Sequence, residues 1–156
     1  MPATAWRTRS LSAHKLIIDL VDGIEPVVSE SSLVQRRDDG VDMVHVGADE
    51  TLAGWRAGFG ERPLAFGPDT PLTVCGRPGL RQEVTVPAET AIGIVASPQG
   101  GVGGHLHHET PAQTHVAVAG TTTAGVPFIA TWTISVARRD ARRADEDHYF
   151  GSIRCE

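Results

Sequence analysis

Aromatic residues are scarce in this chain: four Phe, three Trp and one Tyr make up 5% of its 156 residues. A core built from it must rest on Val, Ile, Leu and Ala, and the first two of these favour strands. Cysteine occurs only at positions 75 and 155, too few for the disulfide framework that replaces a core in small secreted domains. The two either pair in an oxidising compartment or stay as thiols, and buried thiols are the preferred expectation. Basic charge is not in excess, since the net charge is −5, which argues against a general nucleic-acid binder. No apolar run approaches the roughly 20 residues a membrane-spanning helix needs; Leu16-Ile17-Ile18 already ends at Asp19. Arg7, Arg9 and Lys15 are followed by no apolar stretch and no small-residue cleavage site, so a soluble chain without a signal peptide is expected.

Hydrophobic residues at 40% and charged residues at 21% place the chain among globular proteins, and its length suits one β-rich domain over residues 1–156. Alternation supplies the secondary structure, because one buried face of a strand gives a period of two. Val126, Phe128, Ala130, Trp132, Ile134 and Val136 share one face, with Thr131, Thr133 and Ser135 opposite and Ile129 as the exception. Thr114 to Ala119 alternates too, and the turn-rich Gly120 to Gly125 joins the pair into a predicted hairpin. Further strands are expected at Leu16–Val21, Pro26–Ser29, Met43–Val46, Leu72–Cys75 and Val84–Val95, with Pro87 marking an edge or break.

A short helix is predicted from an Asp49 cap to about Arg56. Ala137 to Asp147 is charged without an apolar stripe and reads as a solvated turn or a single helical turn. Phe59 to Pro71 is expected to be a long connection, and the glycine-rich Ser97 to Gly104 the most flexible segment. No repeat of fixed period occurs. The fold class expected is all-β, an antiparallel sandwich or an elongated twisted sheet with at most one or two short helices.

The densest set of candidate ligands is His105, His107 and Glu109, with His115 following. In an extended strand His105, His107 and Glu109 point to one side, a spacing that suits a divalent metal held by neutral imidazoles and a carboxylate. This resembles the His-x-His pair, later Glu and distant His with which cupins bind a metal inside a β-barrel, although Glu109 follows His107 by only two residues. The Gly100–Gly104 run has neither the following Lys-Ser/Thr nor the spacing of a nucleotide-binding loop. No Gly-x-Ser-x-Gly is present, and neither cysteine sits in a catalytic context, so no catalytic residue is assigned. Asp38-Asp39 and Asp49-Glu50 read as turn chemistry. Trp132 falls on the apolar face of its strand, whereas Trp6 and Trp55 are open candidates for stacking on a sugar.

Pro111-Ala112-Gln113-Thr114, Val126-Pro127-Phe128-Ile129-Ala130-Thr131 and the stretch from Asp145 to Ile153 together resemble the end of the pore-forming module of aerolysin-like (ETX/MTX2) β-toxins. The resemblance implies an elongated antiparallel sheet that self-assembles, with an acidic-aromatic-Gly closing strand at 145–153. A membrane-inserting hairpin would need about 9–11 alternating residues per strand, and Glu30–Leu33 and Thr85–Val95 are the nearest candidates without forming a full pair. The functional expectations are a non-enzymatic aerolysin-like protein acting on a partner, a membrane surface, a glycan or copies of itself; a cupin-like metal protein; or a plain β-sandwich binding module. No cofactor is expected outside the metal reading.

Overall fold

The computed structural model describes the backbone of residues 3–96 and 102–156, and the side chains of these apart from residues 90–109. Among these described residues twelve strands run in chain order: β1 Trp6–Leu11, β2 Leu16–Val21, β3 Val27–Val28, β4 Ser32–Arg37, β5 Gly40–Val46, β6 Thr70–Val74, β7 Arg77–Val86, β8 Glu89–Ala96, β9 Val102–Thr110, β10 Gln113–Thr121, β11 Pro127–Ser135 and β12 Arg154–Cys155. Helix α1, Leu52–Ala57, precedes β6; α2, Val136–Arg139, a 3-10 turn and α3, Arg143–Gly151, follow β11 without a gap. The expected mostly-β architecture is what forms. Seven strands make one antiparallel sheet in the order β3-β4-β5-β11-β10-β7-β6, and β1-β2-β12 make a second sheet of three.

The predicted hairpin is β10–β11, paired from Gln113↔Ser135 to Thr121↔Pro127. Its alternation sorts the side chains through Ile134: Val116, Val118, Phe128, Ala130, Trp132 and Ile134 pack with Leu16, Ile18 and Leu20 of the small sheet and with Tyr149, whereas Val136, expected on the same face, begins α2 and is exposed. The opposite face of β11 departs from the expected polar exposure, since Ile129, Thr131 and Thr133 are buried as well. α1 covers this face, and Ile129 packs with Leu52 and Ala117 beside Trp55. The one residue that broke the alternation is therefore the core of the second layer. Thr51, rather than Asp49, caps α1, its hydroxyl accepting the Gly54 N–H at 3.0 Å.

The stretch from 136 to 151 is the main correction to the expected elements. It is helical along its whole length, not a turn, and residues 145–151 belong to α3 rather than to a closing strand. Ion pairs replace the missing apolar stripe. Glu146, fully buried, accepts from Arg81, Arg139 and Arg143, and Arg139 reaches Glu83 on β7 at 2.7 Å. Tyr149 and Phe150 add the apolar contact.

Cys75 and Cys155, 80 positions apart in the sequence, form a disulfide, against the preferred expectation of separate thiols. It ties the β6–β7 turn to β12. That turn has only Cys75 and Gly76 between Val74 and its partner Arg77, both at positive φ, the conformation a two-residue hairpin turn requires. Gly40 is fixed by a different demand: a Cβ there would lie 1.7 Å from the Thr133 carbonyl oxygen.

Candidate functional site

The site is built where one long ribbon leaves the main sheet. β7 and β10 pair down to Val86↔Gln113. Pro87-Ala88 and Pro111-Ala112 then interrupt both strands at the same level, because proline has no N–H to give the ladder. Pairing resumes at Glu89↔Thr110 in the register an unbroken ribbon would have, and continues as β8–β9. Among the described residues no third strand pairs with this arm. The root of the arm is pinned to the body by the Val136 N–H, which donates to the Ala112 carbonyl at 2.9 Å, beside the Ser135 N–H bond to Asp39 O at 3.0 Å.

Two cavities share Pro111 and Gln113 as a common wall at this root. The larger, about 630 Å³, lies toward the β4–β5 turn and includes Arg37, Asp39, Val41, Ser135 and Arg138. The smaller, about 330 Å³, includes Phe59, Arg62, Pro87, Glu89 and His115. A third, of about 380 Å³, opens beyond the far end of β10–β11 between His14, Lys15 and the Thr122–Ala124 turn.

The floor of the larger cavity is a charge cluster. Arg37 Nε donates to both Asp42 oxygens at 3.1 Å, and Nη2 donates to Asp42 at 2.9 Å and to the Thr133 carbonyl at 2.8 Å. Its Nη1 bonds Asp39, and the guanidinium sits 3.9 Å over the Trp132 ring. Burial pushes the Asp42 carboxyl up to about 6, against the pull of Arg37. Arg138, half exposed, stands 3.8 Å from Asp39 and is the cation that faces outward. Asp39 thus does more than turn chemistry, while Asp38 keeps its place in the loop and lines the same cavity.

In the smaller cavity His115 is half-buried, its Nδ1 3.1 Å from Thr133 Oγ1 and its ring edge-on to Phe59 at 5.0 Å. Burial lowers its pKa, so the neutral ring is favoured. Phe59, Trp55 and Phe66 form a mutual edge-to-face cluster beneath it. Arg62 and Glu89 pair at 2.7 Å across the mouth.

The proposed metal ligands divide. His115 stands at this root, whereas the side chains of His105, His107 and Glu109 lie outside the described residues. Among the described residues no three His, Cys, Asp or Glu side chains gather as a metal site. Of the open tryptophans, Trp55 belongs to the aromatic cluster, and Trp6 stacks on His148 at 4.3 Å, whose Nε2 is 2.9 Å from Asp19. The Arg37–Asp42 pair was missed from the sequence. Its signal is phase: Arg37 falls in step with Leu33 and Asp42 with Val44, charges on buried positions of alternating strands.

No protein-family profile matches the chain, and no curated protein matches it in sequence. Solved structures do. The cyanobacterial PsbP (CyanoP) of Synechocystis sp. PCC 6803 superposes with a TM-score of 0.63 at 15% identity, over 99% of this chain and 95% of that one. The Saccharomyces cerevisiae Ran-binding protein Mog1p superposes with a TM-score of 0.51 at 10% identity, over 94% and 85%. These likenesses overturn the resemblance to aerolysin-like pore-forming toxins, whose matching words were common strand sequences and, at 145–151, a helix. The cupin reading fails on architecture as well, since the seven-stranded sheet is open, ending at β3 and β6. The chain has the fold shared by PsbP and Mog1p.

Proposed function

We propose that this chain is a non-catalytic docking domain that holds a protein partner against the end of the main sheet where the β7–β10 ribbon leaves it. The observation that carries the reading is the convergence of two cavities on Pro111 and Gln113 at the foot of the arm. The polar groups around them answer one another: Arg37 with Asp42 and Asp39, Arg62 with Glu89, His115 with Thr133. Such a lining offers shape and a few orienting bonds rather than a nucleophile beside an available base. A Ran-binding protein among the structures of this fold supports docking as a use to which the fold is put, although fold alone does not assign function.

The test is site-specific photo-crosslinking. A crosslinker at Gln113 should capture a defined protein from the native cell extract that a crosslinker at Val27, on the far edge strand, does not. The captured protein, purified, should bind the isolated chain and bind Arg138→Glu at least tenfold more weakly. Equal capture from both positions, or no binding between the two purified proteins, would overturn the reading.

A further inference from the structure

Every strand edge of the two larger sheets carries a device that discourages pairing with another chain. β1 has Arg7 and Arg9, β6 contains Pro71, and β3 and β12 are two residues long, the first preceded by Pro26 and the second carrying Arg154. Charge, proline and shortness are the usual means of blunting an edge. The arm is treated differently on its two sides. β9 carries three histidines and Glu109, whereas β8 reads Glu-Thr-Ala-Ile-Gly-Ile-Val-Ala, with no charge after Glu89 and no proline in eight residues. A two-stranded ribbon is marginal in water without a third strand or a covering layer, and among the described residues no third strand pairs with this one.

We propose that the β8 edge is an interface with a second copy of this chain, the two arms joining about a two-fold axis into a four-stranded antiparallel sheet, β9-β8-β8-β9. The sequence of β8 suits self-pairing. With the axis at the midpoint of the two Ile92 residues, Ile92 of one copy lies opposite Ile92 of the other, Ala91 opposite Gly93 and Thr90 opposite Ile94. Glu89, the only charge on the strand, falls opposite Val95. The two glutamates are then six residues apart along the strand, about 20 Å at roughly 3.3 Å per residue, well beyond the screening length of about 8 Å at physiological salt. No like charges face each other, and the isologous arrangement is closed, as the commonest homodimers are. This interface lies along the arm and does not depend on the docking role of its root.

Sedimentation velocity tests it. The unmodified chain should sediment as a dimer of twice 16.6 kDa. Ile92→Lys with Ile94→Lys places like charges about the axis and should give a monomer, and Ile92→Glu with Ile94→Glu should do the same. Mixing the two variants should restore a dimer that weakens as salt rises. The near-UV signal of buried Trp132, unchanged in both variants, reports that the body remains folded. A monomeric unmodified chain at the highest soluble concentration, a dimer that survives in either variant, or a mixture that stays monomeric would overturn the proposal. Each of these leaves the crosslinking result at Gln113 standing, so the two readings fail separately.

Discussion

Arg37 and Asp42 are buried charges that depend on each other. Both side chains are essentially inaccessible, and three N–H donations join them. Asp42→Ala leaves the guanidinium in the core with Asp39 and the Thr133 carbonyl as its remaining acceptors, and is expected to cost about 3 kcal/mol of unfolding free energy, read as a lower urea midpoint at unchanged slope. Arg37→Met with Asp42→Leu should recover most of it, because apolar replacement of both partners removes the stranded charge. His115 gives a pH signature. Its pKa in the folded chain lies below the ordinary 6.5, so its contribution to stability is complete above pH 6.5 and is lost as pH falls below it. His115→Leu should flatten the acid side of the melting-temperature profile there; an unaltered profile would contradict its burial in neutral form. Such positions are legible from sequence only in part. Ile129 is visible as an exception to alternation, but which layer it packs against depends on α1, some seventy residues earlier in the chain.

Among the elements, the β10–β11 hairpin and its turn were readable because their cues are local: period-two apolar residues and the Gly-rich stretch before Val126. The helical stretch from 136 to 151 was not, because what holds it lies elsewhere in the chain. Glu83 and Arg81 on β7 complete its ion pairs, and no local pattern announces them. Arg139 holds the Glu83 carboxyl below its ordinary 4.5, so this tie is in place above pH 4.5 and loosens on acidification. The disulfide was equally non-local. Replacing both cysteines by serine is expected to cost about 2–5 kcal/mol and to speed amide exchange in β12 before that in β10 and β11. Equal exchange rates in the oxidised chain and the serine variant would show that β12 is held by its strand pairing with β2 alone.

For the whole molecule, composition already pointed to a mostly-β architecture, since so few aromatic residues leave Val and Ile to build the core. The open seven-stranded sheet layered between α1 and the small sheet with its helical neighbour was not legible, because strand order is set by contacts far apart in sequence. The same limit hid the proposed docking end of the molecule: Asp39, Gln113 and Arg138 meet only after β4–β5, β10 and α2 are assembled. Sequence likeness to toxins failed because short strand words recur across unrelated sheets. The docking proposed here places a protein partner at the root of the arm, against the two cavities that meet on Pro111 and Gln113. Amide hydrogen exchange of the chain, alone and saturated with the purified captured protein, tests it most directly. Exchange should slow at 86–89, 110–113 and 38–41, with the exposed face of β1–β2 unchanged; protection on β1–β2 with none at the root would rule out docking there.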